Sequence, residues 1–418
     1  MIVLKEHILF IEAPLTGAGL KGITYAKNEG MYISFLTNNK EKYKNNGILN
    51  YVNNLVECDT NSEEIVLETV KEIEKTKHIT SIITFADFYV PKVAYVAEYL
   101  KLPYMSYKTA LNCRNKFFMR DILNKNLSKY NPLYFLVTSV EEAKEKAKLI
   151  KYPLIMKPQD ENDSYNVVFI KDEQQLVSEF LRITNGDVNR AGQKKFSKSL
   201  LLEEYLSFQE YSVETYTVKG KTTLIGVTKK FTDGIERGCF VELAHVFPVE
   251  ENKNEIFKAV QEIFNELGID NAVCHTEVKV DPLKKQVKLI EVNPRLAGGG
   301  IGSDMIELST GNSAVKCAVD IARGKEVLDK FIKNKYTVIH KIQSLTEGEL
   351  KNIIFPNSIE NDSYFEKKGL YLPLGTRVRA PKLNADFIGY ILVKGEELDK
   401  TLEYAKNLIK NIKLEIKE

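Results

Sequence analysis

The stretch CHTEVKVDPLKKQVKLIEVNPRLAGGG, residues 274–300, constrains the fold of this chain most strongly. Its alternating apolar and polar residues predict two strands joined by a turn at PLKKQ. That hairpin places Glu277 close to opposite Glu291, and Glu291 shares one strand face with Asn293. Two carboxylates that face each other across a ladder repel, so a cation between them would be favourable.

These side chains predict a metal site beside an anion site. Two carboxylates and an amide oxygen form a hard, all-oxygen set that suits Mg²⁺ bridging phosphates. Arg295 follows at once and can clamp an anion with its planar fork. Gly298 to Gly300 then expose backbone N–H groups before a helix, which favours an oxyanion or a phosphate. The alternative is a solvated hairpin with scattered charges and a flexible glycine turn.

Composition narrows the class of protein. The 418 residues are 44% hydrophobic and carry a net charge of +2, without a long run of one sign. We therefore expect neither a nucleic-acid partner nor a membrane-surface partner. Five cysteines, an odd number without a C-x-x-C pair, favour neither a disulfide framework nor a zinc site. The first ten residues do not match a signal peptide, and no apolar run is long enough for a membrane span, so we expect a cytoplasmic protein.

The hydrophobic periodicity changes along the chain. Strand-like runs, HILFIE, MYISFLTN and ITSIITFAD, alternate with helix-like runs at first, which predicts a small parallel α/β domain over residues 1–105. From residue 200 the period becomes two, with hairpin turns expected at KGK and at PLKKQ. A helix ending near Gly268 and another ending near Gly324 interrupt these strands. Predicted strands at YTVIHKIQ, GLYLPLGTRVRAP and FIGYILVKG, followed by a final helix, indicate an α+β region over residues 330–418.

A glycine motif near the N-terminus raises a competing interpretation. GAGLKG, residues 17–22, fits the G-x-G-x-x-G pattern of a dinucleotide site in an oxidoreductase. The following strand, MYISFLTNNK, ends without the carboxylate that would hold the ribose. We interpret these glycines as a tight turn into a helix.

The pattern LIEVNPRLAGGG resembles the C-terminal motif of ATP-grasp enzymes, and it is most similar to their L-amino-acid ligase, or dipeptide synthetase, branch. The resemblance runs over most of the chain. It implies an ATP-grasp fold of α/β and α+β type: a parallel α/β pre-ATP-grasp domain at 1–105, the ATP-grasp domain at 106–329 and a C-terminal α+β domain at 330–418. It also places GAGLKG beside the substrate and puts the nucleotide elsewhere.

The resemblance implies a set of nucleotide-binding residues. Lys116 in NKFFMR and Lys157 in IMKPQD match two lysines that contact phosphates. Lys230 in TKKF matches a further phosphate contact, with neighbouring Lys229 as the alternative. Glu210 matches the acidic residue that holds the ribose hydroxyls.

The segment LLEEYL matches the hinge that holds adenine. Glu203 would accept a hydrogen bond from the adenine amino group. Backbone groups of three residues would pair with the base: Glu204, Tyr205 and Leu206.

One segment departs from the family pattern. ATP-grasp enzymes usually have a loop rich in glycine and serine after the second lysine, and this chain has DENDSYNVV. Ser164 keeps a hydroxyl for the phosphates. Asp163 and Asn166 stand where small residues are expected, and the carboxylate would bring negative charge toward the phosphates. Asn tolerates left-handed backbone better than most residues.

The segment FVELAHVFP matches one in which an acid and a histidine face the amino-acid substrate. Glu242 would hold a substrate ammonium, and His245 would position a substrate group or transfer a proton. Residues three apart in a strand point to opposite faces, so this segment must turn or bulge.

The resemblance implies a ligase that uses ATP and Mg²⁺, with Mn²⁺ as an alternative, and joins a carboxylate to an amine through an acyl phosphate. Metal ligands would be Glu277, Glu291 and Asn293, while Arg295 and the backbone at Gly298 would stabilise the tetrahedral intermediate. The resemblance further implies that the substrates are small molecules, namely amino acids, and that the protein forms a homodimer. The alternatives are a biotin-carboxylase-like or purine-biosynthesis-like enzyme and a nucleotide-binding protein without catalysis.

Overall fold

The computed structural model describes residues 6–15, 17–45, 47–195, 198–327, 330–357 and 359–417. Strands in these ranges, in chain order, are β1 His7–Ile11, β2 Tyr32–Thr37, β3 Asn54–Glu57, β4 Ser81–Ile83, β5 Tyr134–Val137, β6 Leu154–Pro158, β7 Val168–Ile170, β8 Leu200–Glu204, β9 Gln209–Val218, β10 Lys221–Asp233, β11 Val241–Phe247, β12 Ala272–Val280, β13 Val287–Asn293, β14 Tyr336–Ile342, β15 Gly348–Ile354, β16 Phe365–Leu370, β17 Arg377–Val378, β18 Gly389–Gly395 and β19 Lys413–Lys417.

The α-helices of the same ranges are α1 Ala18–Asn28, α2 Glu63–Thr76, α3 Val90–Leu100, α4 Tyr107–Arg114, α5 Lys116–Asn126, α6 Val140–Ile150, α7 Glu173–Thr184, α8 Lys253–Leu267, α9 Ile306–Thr310, α10 Ala314–Ala322 and α11 Leu398–Asn411. Within the described ranges, no helix combines the length and the apolar character needed to cross a membrane.

The first sheet is parallel and has the strand order β3-β2-β1-β4. The three strands predicted from HILFIE, MYISFLTN and ITSIITFAD are confirmed, and β3 was not predicted. Because the strands are parallel, their carboxyl ends lie at one edge of the sheet. Asn38 and Asn39 follow β2 at that edge and reach the large cavity described below.

The glycines of GAGLKG allow α1 to pack closely. A Cβ at Gly19 would lie 2.2 Å from the backbone oxygen of Pro14, and one at Gly22 would lie 2.4 Å from the Phe85 ring. Gly17 has φ 63° and precedes the first residue of α1. The motif therefore forms the predicted tight turn into a helix, with its glycines required by packing.

A four-stranded antiparallel sheet, β5-β8-β6-β7, carries α6 and α7, whose buried residues share one apolar cluster with it. An eight-stranded sheet follows, in the order β13-β12-β9-β10-β11-β14-β18-β16. One of its faces packs against α8, while the other packs against α1, α10 and the first sheet. A three-stranded sheet, β17-β15-β19, completes the fold.

The large sheet crosses the boundary predicted between residues 329 and 330. Strand β14 pairs with β11 over four residues, and β18 then pairs with β14. The backbone hydrogen bonds of one sheet therefore join the predicted ATP-grasp and C-terminal regions. The three domain boundaries stay predictions, since strand pairing alone does not define them.

Local sequence signals account for several elements. Lys219 and Gly220 both have positive φ, 50° and 73°, as the two-residue turn predicted at KGK requires. Helix α8 ends at Leu267, and Gly268 takes the left-handed conformation predicted there. The strand predicted from GLYLPLGTRVRAP is largely wrong, because β16 ends at Leu370 and β17 has only two residues. Strand β19 was not predicted.

The packing explanation for GAGLKG can be tested by Gly19→Ala. The added methyl group would collide with the Pro14 carbonyl, and overpacking of this kind costs about 1–3 kcal/mol. We expect the free energy of unfolding in urea to fall by that amount. Lys27→Ala, at an exposed position of the same helix, should change it by less than about 0.5 kcal/mol. Equal stability of the two variants would contradict the packing explanation.

Candidate active site

A cavity of about 1080 Å³ lies where the first sheet, the small antiparallel sheet and the large sheet meet. Most of the predicted site residues line it. These are Lys116, Lys157, Ser164, Glu203, Glu204, Tyr205, Leu206, Glu210, Glu242, Glu277, Glu291, Arg295 and Gly298. The other three, Lys230, His245 and Asn293, are at most 5% exposed and contact residues of its wall. One cavity thus brings together residues as far apart in the sequence as Lys116 and Gly298.

At one end of the cavity, the buried Glu203 carboxylate binds two cations. Its oxygens lie 2.7 Å from Lys157 Nζ and 3.1 Å from Arg120 Nε. Burial acts to raise the pKa of Glu203, but Arg120 and Lys157 hold it below its usual range. Burial lowers the pKa of Lys157. Glu203 thus anchors the lysine predicted to reach the nucleotide, and any bond to a base must share this carboxylate.

The predicted adenine hinge begins at the end of β8 and is flanked by aromatic rings. The Tyr205 ring lies 4.8 Å from Phe169 and 6.4 Å from Phe240, measured between centroids. Tyr205 and Phe240 both line the cavity. Such a wall can cover a flat aromatic base. Phe240 was not predicted, because a single aromatic residue in a strand is most often part of a core.

The atypical loop keeps a backbone shape that glycine usually provides. Asp163, Ser164 and Asn166 have φ of 58°, 56° and 60°. Left-handed backbone costs a non-glycine residue about 1–2 kcal/mol, so surrounding contacts must hold the loop. The Asp163 carboxylate lies 2.9 Å from Arg190 Nη1. This arginine offsets the negative charge that the sequence brings toward the cavity.

The predicted cross-strand carboxylate pair is confirmed. Glu277 on β12 pairs directly with Glu291 on β13. Two lysines offset the repulsion between these carboxylates. Lys116 Nζ lies 3.0 Å from Glu291, and Lys230 Nζ contacts Glu277. Asn293 donates a hydrogen bond of 2.8 Å to Glu291. Glu277 and Glu291 both line the cavity, and hard carboxylate oxygens of this kind suit Mg²⁺. The Asn293 amide, which directs its nitrogen at Glu291, stays a predicted ligand.

Lys230 and Lys229 have different surroundings. Lys230 is 1% exposed and lies 2.8 Å from Glu242 and 3.6 Å from Glu210, in addition to Glu277. Burial alone would lower the pKa of Lys230, but these carboxylates raise it well above its usual value. Lys229 instead pairs with Glu251 at the surface. The lysine beside the cavity is therefore Lys230.

A buried histidine that was not predicted supports Glu277. His275 lies 2.9 Å from Glu214 through Nδ1 and 3.1 Å from Glu277 through Nε2. Burial opposes its charged form, but Glu214 and Glu277 raise the pKa of His275 to about 9. His275 and Glu277 are two residues apart on one strand and therefore share a face, so the alternating pattern could have predicted their contact.

The predicted irregularity between Glu242 and His245 is confirmed. Leu243 has no partner in the pairing of β11 with β10, so a bulge turns both side chains to one side. His245 Nε2 lies 2.8 Å from a Glu242 oxygen. Burial lowers the pKa of His245, although Glu242 acts to raise it.

The glycine segment after β13 lies beside Arg295, as the sequence predicts. Arg295 Nη1 donates to the Leu296 carbonyl at 2.9 Å, and its Nε lies 3.6 Å from Asp87. Asp87 belongs to the segment that follows β4, so it was not predicted from the motif. Arg295, Gly298 and Gly299 line the cavity together. The guanidinium is thus held by a carboxylate of the N-terminal region.

Comparisons with known proteins agree with this arrangement. Residues 23–104 match the model of the ATP-grasp N-terminal domain, and residues 150–304 match that of the ATP-grasp domain. Alanine–anticapsin ligase of Bacillus subtilis (strain 168) is 28% identical over 251 residues, which cover 56% of this chain and 52% of that protein. The chain thus spans about half the length of this curated relative.

Solved structures show the same fold. An L-amino acid ligase from Bacillus licheniformis superposes with a TM-score of 0.83 at 19% identity, covering 99% of each chain. A phosphoribosylglycinamide synthetase from Anaerococcus prevotii gives 0.72 at 19% identity, covering 99% of this chain and 100% of that one. The predicted ATP-grasp fold is therefore confirmed. With both domain matches and the similar ligase, the chain belongs to the ATP-grasp superfamily and resembles its amino-acid ligase branch.

Proposed function

We propose that this chain is an ATP-dependent ligase that joins the carboxylate of an amino acid to an amine and releases ADP and phosphate. The observation that carries the proposal is the cavity itself. Lys116, Lys157, the paired carboxylates Glu277 and Glu291, and the Arg295 glycine segment all line it, which supports the proposal. ATP-grasp enzymes in general use ATP and Mg²⁺.

The first step would be phosphoryl transfer. Lys116 and Lys157 would hold the phosphates while a substrate carboxylate oxygen attacks the γ-phosphorus, giving an acyl phosphate and ADP. Positioning and charge stabilisation supply most of the catalysis in such a transfer. Mg²⁺ or Mn²⁺ held by Glu277, Glu291 and Asn293 would neutralise charge on the phosphates.

The second step would be amide formation. The amine attacks the acyl carbon, and the bond from this carbon to the phosphate oxygen breaks. Arg295 and the Gly298 amide would stabilise the negative oxygen that develops. Glu242 would hold a substrate ammonium, and His245, bound to Glu242, would position that carboxylate.

Two further features belong to the proposal. All five cysteines are free in the structure, in keeping with a reducing cytoplasm.

We also propose a homodimer, on the basis of the family resemblance. Analytical ultracentrifugation of the purified chain would measure its oligomeric state.

Phosphate release with ATP, Mg²⁺ and pairs of amino acids tests the function. We expect release that depends on amino acids and yields an amide product. Release that depends on bicarbonate would favour a biotin-carboxylase-like or purine-biosynthesis-like enzyme instead. ATP binding without turnover on any substrate would favour the nucleotide-binding protein, and tight NAD binding would favour an oxidoreductase.

Glu291→Gln tests the metal site. Loss of this carboxylate should weaken metal binding, and it leaves Lys116 without its ion-pair partner. We therefore expect the rate of phosphate release to fall at least about 10²-fold. Glu255→Gln, an exposed change on α8, is the control and should leave turnover unchanged. Unchanged phosphate release in Glu291→Gln would rule out the assignment.

Arg295→Lys tests the oxyanion site. Lysine keeps the positive charge but lacks the planar fork, so an interaction made mainly in the transition state is lost. We expect kcat to fall about 10²–10³-fold, the scale of one lost oxyanion donor, with little change in the KM for ATP. A rise in the KM for ATP alone would instead make Arg295 a nucleotide contact.

Glu242→Ala should behave differently from Arg295→Lys. A substrate ammonium is held in both the ground and the transition state, so its loss removes uniform binding. We expect steady-state kinetics to show a rise in the amino-acid KM that exceeds the fall in kcat. A fall in kcat with an unchanged KM would contradict ammonium binding by Glu242.

A further inference from the structure

Lys341 is a buried lysine that reaches the cavity from β14. The residue is 7% exposed, and its ammonium nitrogen donates to the Tyr371 hydroxyl at 2.7 Å. The nitrogen also lies 4.9 Å and 5.7 Å from the ring centroids of Tyr371 and Tyr390. No carboxylate in the described part of the chain lies within 4.0 Å of it, whereas Lys116, Lys157 and Lys230 each have at least one.

The amine of Lys341 lies beside the glycine segment proposed to hold the oxyanion. A Cβ built on Gly299 would be 3.9 Å from Lys341 Nζ and 3.3 Å from the His245 ring. Lys341, Gly298 and Gly299 line the same cavity. The charged and titratable groups that face Lys341 from neighbouring elements are Glu242 and His245 on β11, Asp163 on the atypical loop, Tyr371 after β16 and Tyr390 on β18.

Electrostatics distinguish Lys341 from Lys230, another buried lysine of the site. Burial lowers the pKa of Lys341 to about 8, and the more distant Glu242 and Asp163 only partly oppose this. Burial also raises the pKa of Tyr371 above its usual value, so its hydroxyl keeps a proton. Lys341 therefore has a neutral fraction near neutral pH, while Lys230 stays charged.

We propose that Lys341 is the general base that deprotonates the attacking amine in amide formation. This inference rests on the proposed ligase function. The amine arrives as an ammonium, and one N–H proton moves to the neutral Lys341 nitrogen. The freed lone pair forms the C–N bond to the acyl carbon. The acyl C–O bond then breaks with its electrons leaving on phosphate, and the second N–H proton of the adduct passes to the departing phosphate. Lys341 then returns the proton to water.

Two nucleophiles separate this role from a structural one. An ordinary amino-acid acceptor is protonated at pH 7 and needs a base, whereas hydroxylamine is neutral there and attacks acyl phosphates unaided. In Lys341→Met we expect amide formation to fall about 10²–10⁴-fold, the usual contribution of general base catalysis. Hydroxamate formation should stay within about threefold of the unmodified protein, because acyl phosphate formation does not need Lys341.

Two companion variants sharpen the test. Lys341→Arg keeps a cation but cannot become neutral, so it should lose amide formation and keep hydroxamate formation. If Lys341 binds a substrate carboxylate instead, arginine should preserve amide formation, which would overturn the proposal. The matched control is Lys367→Met, because Lys367 lies near the same Tyr390 ring but is held by Asp304 at 2.6 Å. It should leave both products unchanged.

The pH profile gives an independent readout. At saturating acceptor, the amide rate of the unmodified protein should rise with pH through about 8, as Lys341 loses its proton. Hydroxamate formation should lack this rise. Equal losses of amide and hydroxamate in both Lys341 variants would refute the base. If the unmodified protein forms neither product, the proposed ligase function itself fails.

Discussion

The buried ammonium of Lys230 holds the centre of the large sheet together at the site. Lys230 on β10 contacts Glu242 on β11, and it reaches across to Glu210 on β9 and Glu277 on β12. Four strands therefore meet at one nitrogen atom that is almost inaccessible to water. Removing one partner of such a buried ion pair typically costs about 3–5 kcal/mol, because the other charge is left without compensation.

The charges around Lys230 do not balance. Three carboxylates surround one lysine, and His275 adds one positive charge that it shares with Glu214. Glu291 joins from the next strand, where Lys116 offsets it. Around Glu203 the excess is opposite, since Lys157 and Arg120 share this one carboxylate. A cavity with clusters of both signs would suit the metal–phosphate ligand and the substrate ammonium of the proposed function.

The sequence predicted those parts of the site that depend on neighbouring residues. The hairpin pattern predicted the register of Glu277 with Glu291. The bulge between Glu242 and His245 was expected because the resemblance implies that both side chains face one ligand, although they are three residues apart. The roles of these residues came from the family resemblance and stay predictions. The ATP-grasp fold was predicted from the order of the family motifs along the chain. The domain matches and the superposed structures confirm it.

The sequence did not reveal partners that the fold brings from distant segments. Lys341 lies beside Gly299, and Asp87 pairs with Arg295, only because β14 and the segment after β4 lie next to the end of β13. In the sequence Lys341 is one polar residue in an alternating strand, and nothing there distinguishes it from a solvent-exposed lysine. The continuation of the large sheet into β14 likewise depends on long-range strand pairing, which local periodicity cannot specify.

Oxygen tracing tests the acyl phosphate most directly. A substrate carboxylate labelled with ¹⁸O is incubated with ATP, Mg²⁺, an acceptor and the protein, and the released phosphate is analysed by mass spectrometry. If a carboxylate oxygen attacks the γ-phosphorus, that oxygen stays with phosphorus when the amine displaces phosphate. The account predicts one ¹⁸O atom in each phosphate released. Amide formation with unlabelled phosphate would contradict it.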